Sequence, residues 1–183
     1  MRHKCAFSGS GGQGSALMAK LLCLGAIRRN YKVVMTQTYG IEQRGGDSTG
    51  YVVLSDRPIG NPIVENDADI TVALSRNVYA GALQGTIRGG TLFVNSSLID
   101  AIQEAAGVHQ IQVPATETAS AVGSARCANM VMLGAVLART RILTYDDIAA
   151  ALKDEMGERS SDLLELNLQA LQEGMALAAA AAD

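Results

Sequence analysis

The sequence predicts an α/β fold with a mixed, largely parallel sheet and a helical final third. Three observations carry this. Short apolar runs alternate with helical patterns over the first two thirds of the chain. A glycine-rich turn, Gly9-Ser10-Gly11-Gly12-Gln13-Gly14, joins the first run to the first helix. The last third is rich in Ala, Met and Leu and shows a helical period.

Taken in order, Lys4–Ser8 reads as a strand, and residues from Ser15 to Arg29 as a helix. Leu17, Leu21, Leu24 and Ile27 give that helix a buried stripe at spacings of three and four. Lys32–Gln37 is a second strand. Thr38–Thr49 is glycine-rich and has no helical period, so it reads as a loop. Tyr51–Ser55 then resumes as a strand. A parallel return needs a crossover, usually a helix, and none fits in this interval, so the strand is expected to run antiparallel. Asp56–Pro62 is a turn-rich connector. Ile70–Leu74, Thr91–Asn95 and Ile111–Pro114 are further strands, and Val78–Gln84 and Leu98–Ala106 are helices between them. Residues 116–138 form one helical stretch. Thr144-x-x-Asp147 and Asp162-x-x-Glu165 resemble capping boxes opening two more helices. Leu164, Leu168, Leu171 and Met175 form the stripe of the last one. The whole reads as one domain, 1–183, in a three-layer Rossmann-like arrangement.

Composition excludes several classes. The 183 residues carry a net charge of -3, with 18% charged, 4% aromatic and no Trp, which disfavours nucleic-acid binding through phosphate contacts or base stacking. Three widely spaced cysteines, Cys5, Cys23 and Cys127, form neither a disulfide framework nor a CxxC. Two histidines cannot complete a usual zinc site, and four thiolates are needed for a cluster. The apolar stretches fall short of the ~20 residues of a membrane span, and no signal-peptide pattern opens the chain. A cytoplasmic location is expected.

Two constellations carry chemistry. Gly9–Gly14 satisfies G-x-G-x-x-G between a strand and a helix, where exposed amides and the helix dipole favour an anion. A dinucleotide would call for an acid closing the second strand, but Met35-Thr36-Gln37 stands there and the next acid is Glu42. No Gly-Lys-Ser/Thr ends the loop, so it is not a Walker loop. A tight turn binding nothing small and an anion-binding loop both remain open. The second constellation, Tyr39-Gly40-Ile41-Glu42-Gln43-Arg44-Gly45-Gly46, leaves the carboxyl end of the second strand and is expected to share a rim with the first loop. Asn129, an amide among apolar neighbours, is expected to tie its helix to a nearby loop. Cys127 reads as core rather than nucleophile.

These motifs, together with Ala128-Asn129-Met130-Val131-Met132-Leu133-Gly134, Ser55-Asp56-x-Pro58-Ile59 with Pro62, and Asn167-x-x-Ala170-Leu171-x-x-Gly174, occur in one order along the chain. The set resembles the gamma subunit of 2-oxoacid:ferredoxin oxidoreductases, the pyruvate/2-oxoglutarate/ketoisovalerate family. The resemblance implies coenzyme A (CoA)-dependent oxidative decarboxylation of a 2-oxoacid, with electrons passed to ferredoxin. It also implies that thiamine diphosphate, Mg²⁺ and Fe–S clusters reside on partner chains, since this sequence lacks the Gly-Asp-Gly…Asn pattern and the cluster cysteines. The partners implied are alpha, beta and ferredoxin-like delta subunits. No catalytic residue and no metal ligand is assigned to this chain. Gly9, Gly11, Gly12, Gln13 and Gly14 are expected to meet an anion or a CoA phosphate, and Tyr39, Glu42, Arg44, Gly45 and Gly46 to form an interface. The motif set leans towards 2-oxoglutarate, with pyruvate, branched-chain 2-oxoacids and indolepyruvate open. The alternative is a free-standing nucleotide- or small-anion-binding α/β protein.

Overall fold

A computed structural model describes residues 1–40, 46–157 and 161–180. The elements in order are β1 (Arg2–Ser10), α1 (Ser15–Arg28), β2 (Lys32–Tyr39), β3 (Asp47–Ser55), β4 (Ala68–Ala73), α2 (Arg76–Gly85), β5 (Thr86–Asn95), β6 (His109–Val113), α3 (Ala115–Val122), α4 (Ala128–Thr140), α5 (Tyr145–Met156) and α6 (Ser161–Ala180). The six strands form one sheet in the order β2-β3-β1-β4-β5-β6. β3 pairs antiparallel with both β1 and β2, while β1, β4, β5 and β6 pair in parallel. The antiparallel return expected from the missing crossover is therefore present, and it inserts β3 between β1 and β2.

Strand alternation divides the core into two layers. Cys5, Phe7, Val72 and Phe93 point to one face, against α1, α3, α4, α5 and α6. Ala73, Leu92 and Val94 point to the other, where Val78, Tyr79 and Ala82 of α2 meet them. Parallel strands buried on both faces explain the near-continuous apolar runs of β4 and β5. No helix among the described residues is long and apolar enough to cross a membrane.

Four expectations need correction. Leu98–Ala106 is not a helix. It turns off β5, with the Ile99 N–H donating to Asn95, and is then pinned by side chains: the Tyr79 hydroxyl accepts from the Gln103 N–H at 2.8 Å and donates to Gln110 at 2.7 Å. Ile99 and Ile102 supply too short a stripe to hold a helix against that alternative. The loop expected over Thr38–Thr49 is much shorter, because β2 and β3 pair as far as Tyr39 with Ser48. Gly50, which adjoins that interval, lies within β3, where a Cβ would sit 2.7 Å from Ala19 Cβ of α1. The helical stretch 116–138 is broken at Gly123 (φ 132), followed by extended Ser124 and a 3-10 turn, Ala125–Cys127. Finally, Asp162 lies inside the first turn of α6 rather than at its cap.

The Thr144–Asp147 capping box at α5 is present, with the Asp147 carboxylate accepting from the Thr144 N–H at 2.9 Å. The same carboxylate takes Arg29 Nε from the end of α1 at 2.9 Å. Burial pushes the Asp147 carboxyl up, but the Thr144 bonds and the Arg29 guanidinium outweigh it and hold the group below its usual range. A carboxyl depressed on folding contributes stability above its unfolded pKa of ~3.9, and that contribution is lost as pH falls through the lower folded value. Asp147→Ala is expected to cost about 1 kcal/mol at pH 7. In thermal melts, the gap from wild type should narrow as pH falls below about 4.

Candidate functional site

The connections out of β1 and β4 leave in opposite directions along the sheet, one towards β2 and β3 and the other towards β5 and β6. This makes the carboxyl edge between β1 and β4 the topological switch point, where open α/β sheets accept ligands. The glycine loop closes on itself here. The Ser10 N–H donates to Gln13 Oε1 at 2.8 Å and the Gln13 N–H to the Ser10 carbonyl at 3.2 Å. The Gln13 carbonyl oxygen is therefore spent on loop closure. Gly9 lets Leu74 and the Gln13 side chain pack against its Cα, since a Cβ would meet both within 3.1 Å. Gly14 caps α1 in the left-handed region (φ 83), and the Asn129 amide lies directly on its Cα.

The described end of the second glycine-rich segment meets the first loop at one edge. The Gly11 N–H donates to the Gly46 carbonyl at 3.1 Å, and Ser10 Oγ donates to Asp47 Oδ1 at 2.7 Å. Gly46 thus faces inward to the loop. Tyr39 ends β2 with 71% of its surface exposed, and its hydroxyl bonds to Gln37. Glu42, Gln43, Arg44 and Gly45 lie outside the described residues.

Beside the loop is a crevice of about 260 Å³. Gly11, Gly12 and Gln13 form one wall and Thr116 another, with Leu74 and Asn95 behind and Arg126 at the mouth. Asn95, fully buried, was not evident as a site residue. Its Nδ2 donates to the Leu74 carbonyl at 3.0 Å and to Thr116 Oγ1 at 2.9 Å, which fixes the end of β4 against the start of α3. A polar residue closing an apolar strand was the available signal. Arg126 is exposed and makes no ion pair among the described residues. Its position follows from the break at Gly123, which the helical composition of 116–138 concealed.

Of the helices starting at this edge, α1 and α2 lack side-chain caps, while in α3 the Thr116 N–H donates to Asn95 Oδ1 at 3.4 Å and the Glu117 N–H to Ser97 Oγ at 3.1 Å; α5 elsewhere is capped. Uncapped first-turn N–H groups and the positive ends of helix dipoles favour a negative group. With Arg126 at the mouth, the residues fit a phosphate or carboxylate. Asn129 is buried with its amide against Gly14 of the loop, and its Oδ1 has no hydrogen-bond partner among the described residues.

The thiols do not join this chemistry. Burial pushes Cys5 well up and Cys23 up to about 12, and it raises Cys127 against an opposing bond from Ser124. Among the described residues no three His, Cys, Asp or Glu side chains are grouped to hold a metal ion.

Fold and crevice together define an open α/β domain with a glycine-lined crevice at its switch point. The chain belongs to the pyruvate ferredoxin/flavodoxin oxidoreductase family, whose model matches residues 4–177. It is 35% identical over 184 residues to 2-oxoglutarate synthase subunit KorC of Methanothermobacter thermautotrophicus, covering 97% of this chain and 95% of the relative. It is 32% identical to ketoisovalerate oxidoreductase subunit VorA of the same organism, covering 91% of this chain but 34% of that longer one. The structure superposes with a TM-score of 0.81 and 30% identity on the gamma subunit of a keto/oxoacid ferredoxin oxidoreductase from Geobacter sulfurreducens, covering 97% of this chain and 99% of that one. In length and fold the chain is a gamma-type subunit.

Proposed function

We propose that this chain is the gamma subunit of a cytoplasmic 2-oxoglutarate:ferredoxin oxidoreductase. The observation that carries the reading is the end-to-end match to KorC, 97% of this chain against 95% of the relative. Thiamine diphosphate, Mg²⁺ and Fe–S clusters belong on the alpha, beta and delta partners, which also pass electrons to ferredoxin. This chain completes the assembly. Its Gly9–Gly14 loop and Arg126 offer amides and a cation to a CoA phosphate, and the rim from Tyr39 through Glu42, Arg44 and Gly45 to Gly46 docks on a partner.

The test is reconstitution. The isolated chain should turn over no 2-oxoacid. Thiamine-bearing partners supplemented with it should reduce ferredoxin with 2-oxoglutarate and CoA, and partners alone should do so at least tenfold more slowly. Equal rates with and without this chain would refute the reading. Arg44→Ala separates two roles for this residue, docking and, in a related reading, a contact of its own to a CoA phosphate: weakened assembly marks docking, and a raised KM for CoA with assembly intact marks phosphate contact. No change in either removes both roles from Arg44.

A further inference from the structure

The crevice beside the glycine loop is lined by four hydrogen-bonding side chains, Gln13, Asn95, Thr116 and Arg126, and by no carboxylate. Partners that cannot change role fix the polarity of two of them. Leu74 offers Asn95 a carbonyl oxygen, which can only accept, and the Thr116 backbone offers it an N–H, which can only donate. The buried Asn95 amide therefore cannot turn over. Its Nδ2 carries two protons, one given to Leu74 and the other to Thr116 Oγ1 at 2.9 Å. Thr116 Oγ1 is thereby the acceptor in that pair, and its own proton has no acceptor among the described residues.

Gln13 is fixed in the same way on the other wall. The Ser10 N–H holds Gln13 Oε1 at 2.8 Å, so Nε2 is the end left over, and it too has no acceptor among the described residues. The two walls thus present protons to the space between them, and the Arg126 guanidinium at the mouth has donors alone. The start of α3 is not the source of this polarity, since the Thr116 N–H is spent on Asn95 and the Glu117 N–H on Ser97 Oγ. Hydroxyls and amides would bring protons that find no side-chain acceptor here. A fully ionised phosphoryl group brings acceptors alone, and its charge strengthens each bond.

We infer that Thr116 binds a phosphoryl oxygen through its hydroxyl proton, and that Asn95 is the positioning residue that keeps this proton free for the ligand. With both amide protons and its oxygen already engaged, Asn95 acts through Thr116. The inference rests on the proposal that the crevice takes a phosphate, and it holds whichever 2-oxoacid is oxidised.

The test titrates the isotope-labelled full-length chain with inorganic pyrophosphate at constant ionic strength, reading the Gln13 side-chain amide and the Gly12 N–H by NMR. Both signals should move together, and adenosine should move neither. Thr116→Val, which keeps the shape and loses the proton, should weaken binding about tenfold, the usual weight of a hydrogen bond to a charged group. Thr116→Ser, which keeps the proton, should bind within about threefold of wild type. Asn95→Ala should weaken binding severalfold, with no further loss when Thr116→Val is added, because the amide acts through that hydroxyl. The two threonine variants carry the test if Asn95→Ala fails to fold. Thr116→Val binding as tightly as wild type overturns the inference, and so does an equal loss in Thr116→Val and Thr116→Ser, which marks packing alone. Additive losses in the double variant overturn the positioning role of Asn95. A wild-type chain whose Gln13 and Gly12 signals do not respond overturns the phosphate reading of the crevice as well, while the gamma-subunit reading is decided separately, by reconstitution.

Discussion

Gly174→Ala is expected to destabilise the chain by about 3 kcal/mol, a large fraction of the roughly 5–15 kcal/mol that holds a domain folded. Helix propensity alone gives the opposite sign, since alanine in place of glycine within a helix gains about 1 kcal/mol. Packing decides. A Cβ at Gly174 would overlap the Val131 carbonyl oxygen of α4 and sit 2.7 Å from its carbon. Backbone cannot rotate aside as a side chain can, so α6 must lift away and open contacts among Met130, Leu133 and Leu171, all fully buried. Gly134→Ala should behave alike, because its Cβ would meet Leu171 and Met175 backbone from the opposite side. Urea denaturation measures both. A midpoint at or above wild type for Gly174→Ala would mean the helices are not in close approach.

Gly14→Ala carries the second large effect, also about 3 kcal/mol, from two separable sources. An L-residue in the left-handed region costs roughly 1–2 kcal/mol, and Gly14 has φ 83. The new Cβ would also overlap the Asn129 amide, which is buried at the start of α4. Asn129→Ala removes that overlap together with a carbonyl oxygen that has no hydrogen-bond partner among the described residues. The double variant should therefore be more stable than Gly14→Ala alone, retaining mainly the backbone penalty of roughly 1–2 kcal/mol. Strict additivity of the two single changes would show that loop and helix are not in contact. Because Gly14 sets the first turn of α1, the same variant in the reconstituted complex should raise KM for CoA.

The architecture was legible wherever period and length agreed. The interval between Gln37 and Tyr51 cannot hold a crossover helix, and this fixed the reversed strand. The capping pattern at Thr144 and Asp147 fixed a helix start, because both reciprocal partners are written three residues apart. What escaped depended on distant neighbours. Gly50 pairs within β3, and α1 approaches it too closely for a Cβ, which no local pattern records. Leu98–Ala106 has a helix-compatible composition but is captured by the Tyr79 hydroxyl. At the site, the shared rim was foreseen from the positions of two loops relative to their strands. Asn95 and Arg126 were not, since their placement depends on a strand end and a helix break brought together only by the folded sheet.

The reversal of β3 gives the rim a mechanical property. Because β3 runs against its neighbours, the end of β2 at Tyr39 and the beginning of β3 at Asp47 emerge on the same edge as the Gly9–Gly14 loop. They are latched to it through Gly46 and Ser10. A displacement of Gly46 or Asp47 is therefore felt at Gly11, four residues before α1 begins at Ser15, through two hydrogen bonds.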